Sequence, residues 1–135
     1  MLFGDEHVQR YEETDGEEGH IWVNGAPCLV LTTTGRKTGE DRKFALIYQE
    51  HEGDYVIVAS KGGADSHPGW YLNLVDNPDV TVQVGAEKFR AKARTAGSAE
   101  RAALWPKMAA VWPDYDKYQA NTEREIPVVV LEPIR

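Results

Sequence analysis

Residues 27–59 read PCLVLTTTGRKTGEDRKFALIYQEHEGDYVIVA, and the architecture is worked out from them. Pro27 to Thr34 is apolar and β-branched, as are Lys43 to Gln49 and Tyr55 to Ala59. Such runs, bounded by glycine-bearing turns, predict strands. HEGD at 51–54 supplies a hairpin turn through Gly53. Further along, Val80, Val82 and Val84 alternate with Thr81 and Gln83. Phe89, Ala91 and Ala93 alternate with Lys88, Arg90, Lys92 and Arg94. Both stretches carry the period of two expected of half-buried strands. Ile126 to Leu131 predicts a last strand, with Pro127 near its start, where a missing N–H is tolerated.

Helices interrupt this pattern. Short ones are expected over Asp5 to Glu13 and over His67 to Leu74, the latter ended by Asn77-Pro78. A longer one runs from Ser98, read as its N-cap, to about Trp112, and Pro106 inside it should kink or split it. Pro113 opens a further turn through Tyr115 and Tyr118. The order lacks the βαβ alternation of a parallel sheet. It predicts a mainly β, α+β domain: about six antiparallel strands in a small closed barrel with a few flanking helices.

With 135 residues the chain is one domain's worth, and 41% hydrophobic with 27% charged residues is ordinary globular composition. Residues 1–20 read as an acidic leader packed loosely on a domain spanning 21–135. Fifteen basic against 22 acidic residues give a net charge of −7, which weighs against nucleic-acid binding. Cys28 is the only cysteine, so neither an intrachain disulfide nor a multi-cysteine zinc site is available. His7, His20, His51 and His67 show no metal-ligand spacing. No apolar run is long enough for stable membrane insertion, and the cytoplasm is the expected compartment.

Four local patterns carry chemistry. Thr34-Gly35-Arg36-Lys37-Thr38-Gly39, followed by Arg42, is a tight turn with three cations, hydroxyls and backbone N–H groups. Such a turn suits phosphate or carboxylate, and it equally fits a hairpin with solvated charges. Ala59-Ser60-Lys61-Gly62-Gly63 places a hydroxyl at a strand end, without the G-x-S-x-G elbow of a hydrolase. Trp70, Tyr71 and Asn73 offer rings and an amide to a flat ligand, or simply core. Tyr115 and Tyr118, three residues apart, share a helical face.

Together, TTTGRKTGEDR, VIVASKGG, HPGWYLNL with NPDV, and WPDY with REIPVVVLEP resemble the deazaflavin-dependent nitroreductase family, from about Trp22 onward. The resemblance implies a split β-barrel and coenzyme F420, a hydride carrier. It implies a reductase passing hydride from the reduced coenzyme to an electron-poor small molecule such as a quinone, enone or nitroaromatic. Arg36, Lys37, Thr38 and Arg42 would hold the anionic tail. Lys43, Phe44, Ala45, Leu46 and Ile47 would run along the deazaflavin, and Val58, Ala59, Ser60 and Lys61 would touch its ring and ribityl region. Gly69, Trp70, Tyr71, Leu72 and Asn73 would form the other wall. Ser60, Tyr115 and Tyr118 would act catalytically, with Trp112, Tyr115 and Tyr118 meeting the acceptor and Tyr115 also the coenzyme. Trp112 stands where the family often has a Tyr, and Ile47 where some members have one. No metal is implied. An FMN-dependent reductase and a non-catalytic deazaflavin carrier remain alternatives. Homodimer formation stays open, as does peripheral contact with the inner face of the membrane when a quinone is the acceptor.

Overall fold

The computed structural model describes residues 2–134; Met1 and Arg135, the outer ends of the two segments distinguished above, lie outside the described residues. Seven strands form: β1 (Cys28–Thr34), β2 (Asp41–Ile47), β3 (Gln49–His51), β4 (Asp54–Val58), β5 (Asp79–Val84), β6 (Glu87–Thr95) and β7 (Val128–Pro133). Four helices accompany them: α1 (Gly4–Glu13), α2 (Gly69–Asp76), α3 (Ser98–Val111) and α4 (Asp114–Ala120).

The strands make one antiparallel sheet in the order β2-β1-β5-β6-β7-β4-β3. Its two edges, β2 and β3, are consecutive in the chain and separated by Tyr48 alone. A single residue spans at most about 3.5 Å, so the edges must meet there and the sheet is curled on itself. Beyond that corner β2 and β3 share no ladder among the described residues, so the barrel is split rather than closed, and the strand count is seven rather than six. The extra strand arises because Tyr48 breaks the run expected over Lys43 to Gln49. Its N–H donates to the Pro27 carbonyl (3.0 Å), and its buried hydroxyl meets His20 Nε2 at 2.9 Å. β3 then turns into β4 through Glu52 and Gly53, both with positive φ, as a tight two-residue hairpin requires.

Burial explains the strand patterns. Val128, Val129, Val130 and Leu131 are all buried, because β7 is covered on both faces. Val129 and Leu131 face the barrel interior with Leu29, Leu31, Ile57 and Val82. Val128 and Val130 pack outward against Leu104 and Met108 of α3 and Tyr115 of α4. Those two α3 anchors sit on either side of Pro106, which is itself exposed, and the helix continues through the proline. The N-cap of α3 is Gly97 rather than Ser98. Two members of the cationic stripe of β6 are compensated: Lys92 pairs with Asp79, and Arg94 with Glu100 and Glu132.

α1 is not loosely packed. Tyr11 is fully buried; its hydroxyl donates to the Cys28 carbonyl (2.9 Å) and accepts from the Gly85 N–H (2.7 Å). A Cβ on Gly16 would lie 2.6 Å from the Gly85 Cα, so a glycine there lets the segment after α1 seat on the β5–β6 turn.

Candidate functional site

Three cavities border β2, and two of them hold most of the residues expected from sequence. The first, about 270 Å³, is lined by Gly35, Arg36, Lys37, Thr38, Arg42, Phe44, Gly69 and Asn73. It is built by the turn between β1 and β2. The Gly35 N–H donates to the Glu40 carbonyl (2.7 Å) and the Gly39 N–H to the Gly35 carbonyl (2.8 Å), and Gly39 takes a φ of +76°. Arg36 is held by α2: Nη1 donates to Asn73 Oδ1 (2.8 Å) and to the Gly69 carbonyl (3.3 Å), and its backbone N–H also reaches Asn73 Oδ1 (3.2 Å). The buried Asn73 completes its amide by donating Nδ2–H to Thr33 Oγ1 (3.2 Å). Arg36, Lys37 and Arg42 enter no ion pair among the described residues. Three cations without an ion pair around one cavity, in a protein of charge −7, can attract a polyanion.

The second cavity, about 340 Å³, continues along the same strand: Phe44 lines the first, and Ala45, Leu46 and Ile47 line this one. The start of α2 does the same, with Gly69 in the first and Pro68 and Trp70 in the second. The far wall is Trp22, Trp112, Tyr115 and Tyr118, and Val58, Ser60, Lys61 and Gly62 complete the lining. β2 is an edge strand, so alternate residues turn unpaired N–H and C=O groups outward. A flat heterocycle with polar edges can hydrogen-bond to such an edge.

Each hydroxyl here has a distinct state. Ser60 Oγ makes no hydrogen bond among the described residues and is half-buried at the mouth of the loop. Tyr118 Oη accepts from the Trp112 indole N–H (3.3 Å), which leaves its own proton free to point into the cleft. Tyr115 is buried against Trp105 and Tyr118, and that burial pushes its phenol well above the ordinary range, so it stays protonated.

Most of the residues expected from sequence come together in these cavities, and four do not. Lys43 points to α1, paired with Glu12 at 2.6 Å. Ala59 is fully buried. Tyr71 bonds Thr95 Oγ1 (2.8 Å) and packs on His67, while Leu72 is exposed on α2. None of these four lines either cavity. A larger cavity, about 630 Å³, lies between α1 and β2, but the carboxylates of Asp5, Glu12, Glu13 and Asp41 on its walls outnumber the cations Arg42 and Lys43, and Lys43 is paired with Glu12, so it suits an anionic tail less well.

Sequence reading missed two contributors. Trp22 was quoted only as the start of the resemblance. Arg124 was quoted only within a motif, yet it organises the loop that presents Ser60. Its Nε donates to the Ala64 carbonyl (2.7 Å), Nη2 to the Ser60 carbonyl (2.7 Å), and Nη1 to the Ala59 carbonyl (3.3 Å). Gly63, with φ of +84°, lies so close to α4 that a Cβ there would meet the Tyr118 Cα and carbonyl oxygen at 2.8 Å.

A family model described as F420H(2)-dependent quinone reductase matches residues 4–133. An F420H(2)-dependent quinone reductase of Mycobacterium tuberculosis is 40% identical over 133 residues, covering 93% of this chain and 86% of that protein. A solved F420-H2 dependent reductase, FDR-A, is 41% identical with a TM-score of 0.73, covering 78% of this chain and 94% of that one. A further solved structure, described as a domain-swapped dimer, is 39% identical with a TM-score of 0.75, covering 94% and 95%.

Proposed function

This chain belongs to the F420H(2)-dependent quinone reductase family, and on that premise we propose that it reduces a quinone with reduced coenzyme F420. The observation that carries the reading is the shared strand: β2 borders a cavity of unpaired cations at one end and a flat aromatic cleft at the other. The donor set fits the coenzyme, whose anionic tail needs cations and whose ring needs a flat slot with backbone partners. When bound, the reduced deazaflavin supplies a hydride, and the protein contributes binding, orientation and electrostatics.

In this reading Arg36, Lys37, Thr38 and Arg42 grip the tail. Arg36 is already held by Asn73 and so loses little freedom on binding. Ala45, Leu46 and Ile47 orient the ring along the edge of β2, with Val58, Lys61 and Trp70 closing the slot. The acceptor sits against Trp112, Tyr115 and Tyr118. Net reduction adds a hydride to the quinone and a proton to its carbonyl oxygen. Ser60 and Tyr118 are the hydroxyls placed to hydrogen-bond that oxygen as its negative charge develops, and Tyr118 is the proton donor, re-protonated from solvent. Tyr115 keeps its proton and serves as wall. The likeness to a domain-swapped dimer supports pairing of two copies, which a sizing column measures. Among the described residues no helix is long and apolar enough to cross a membrane.

The test titrates the protein with coenzyme F420 and with FMN, then follows bleaching of the reduced coenzyme as quinones are added. Tight binding of coenzyme F420 with quinone-dependent bleaching is expected. Replacing a charge-assisted, pre-held donor costs about 1.5–3 kcal/mol, so Arg36→Ala should raise the Kd by roughly tenfold or more. Preference for FMN, or an unchanged Kd in Arg36→Ala, defeats the proposal.

A further inference from the structure

Trp22 lines the cleft beside Trp112 and Tyr118, yet it comes from the segment between α1 and β1, away from the motifs that carry the cations and Ser60. Its ring stacks on Trp112 with centroids 5.6 Å apart and planes 24° from parallel. Trp112 in turn donates to Tyr118 Oη. Trp22 is itself held from the N-terminal side. Its indole N–H donates to the Leu2 carbonyl (2.7 Å), His7 stacks on it at 5.8 Å, and Phe3 meets it edge-on at 5.6 Å. α1 does not depend on this stack for its seat, because Tyr11 and Gly16 anchor it to the barrel separately.

We propose that Trp22 is a specificity-determining residue for the hydride acceptor, selecting flat fused-ring quinones, and that the N-terminal helix thereby forms part of the acceptor site. The proposal rests on the reading of the cleft given above. Trp22 bounds the slot on the α1 side and holds Trp112 in place. Trp112 fixes the rotamer of Tyr118, so the outer indole governs both the width of the slot and the direction of its hydroxyl. A fused-ring quinone has enough aromatic face to use this wall, whereas a single-ring quinone uses less of it. Bulky substituents at the end of the ring meet the indole.

The experiment compares wild type, Trp22→Phe and Trp22→Ala. Equilibrium dialysis measures binding of an unsubstituted naphthoquinone to the protein without coenzyme. Steady-state kinetics with reduced coenzyme F420 then compare that naphthoquinone with a benzoquinone. An aromatic contact of this kind is worth about three- to tenfold in affinity. Trp22→Ala should weaken naphthoquinone binding, and raise its KM, by about that factor, and raise the benzoquinone KM by less; kcat, which depends on Tyr118 through Trp112, should fall for both quinones alike. Trp22→Phe should recover most of the loss. Equal naphthoquinone affinity in the three proteins, or an unchanged naphthoquinone-to-benzoquinone ratio, overturns the proposal. Trp22→Phe keeps a ring in the wall, so it tests the point even where the alanine variant folds poorly. Trp22-dependent naphthoquinone binding by a protein that turns over no coenzyme would support the wall and defeat the functional reading instead.

Discussion

Replacing Arg124 by Met should uncouple the Ser60 loop from the barrel while leaving the tail site intact. The side chain spends its donors on three carbonyls of one short loop, two at 2.7 Å and one at 3.3 Å, and its Nη1 also faces His67 Nδ1 at 3.1 Å. A hydrogen bond from a charged donor is worth about 1.5–3 kcal/mol in isolation. The guanidinium is half-buried and the three bonds act on one loop, so their sum is not additive and comes to about 2–4 kcal/mol. That loss appears as local opening, and amide exchange at residues 60–64 should accelerate by roughly 30- to 800-fold. Displacement of Ser60 by about 1 Å should cost up to about a hundredfold in kcat. The coenzyme Kd should change less than in Arg36→Ala, since Arg124 touches none of the tail residues. Arg124→Lys should recover part of kcat by keeping one donor. His67 gives an independent reading. Burial, and then the Arg124 charge, hold its imidazole below the ordinary histidine range, so an NMR titration should find it higher in Arg124→Met. Unchanged exchange at residues 60–64 together with wild-type kcat would refute the clamp.

Two further outcomes follow from the packing. Gly63→Ala forces a Cβ to within 2.8 Å of the Tyr118 backbone at a φ of +84°, and backbone cannot swing away as a side chain can. The cost should exceed about 2 kcal/mol in urea unfolding, and a wild-type midpoint would contradict the close approach of loop and α4. Stability should also fall in alkali. Burial pushes the Cys28 thiol from its ordinary 9.0 up to about 12 and the Tyr48 phenol from 10.0 up to about 12, and it raises Tyr11 and Tyr115 as well. Between those values the unfolded chain has lost protons that the folded one retains, so the slope of unfolding free energy against pH is negative. Urea midpoints should be level between about pH 7.5 and 8.5 and drop from about pH 9 upward; a level or rising trend above pH 9 would be inconsistent with neutral buried groups.

Much of the fold was legible because its signals are local. The alternation of Val80, Val82 and Val84 and the hairpin glycine at 53 each sit within a few residues of the structure they specify. Tyr48 was harder. It reads as one more β-former in a strand, and only the meeting of two sheet edges makes it a corner. For a related reason Pro106 does not split α3: its breaking tendency is a local preference, and Leu104 and Met108 on either side of it pack on β7. In the site, the cationic turn was readable as a cluster. The fate of Lys43 was not, because its partner Glu12 lies 31 residues away on a helix.

The amino-acid sequence alone established the strand-rich class, the charged turn, and the hydroxyl and aromatic groups near the cleft. Each of these is written in neighbouring residues and needs no distant partner. The tertiary structure alone decided that β2 serves both cavities, that Asn73 belongs to Arg36, that Arg124 holds a loop 64 residues away, and that Trp22 stacks on Trp112 at the cleft. Those pairings are chosen by which surfaces exclude water together. Burial free energy is non-directional and registers area rather than identity, so a single chain carries no record of which remote residue will take up each place.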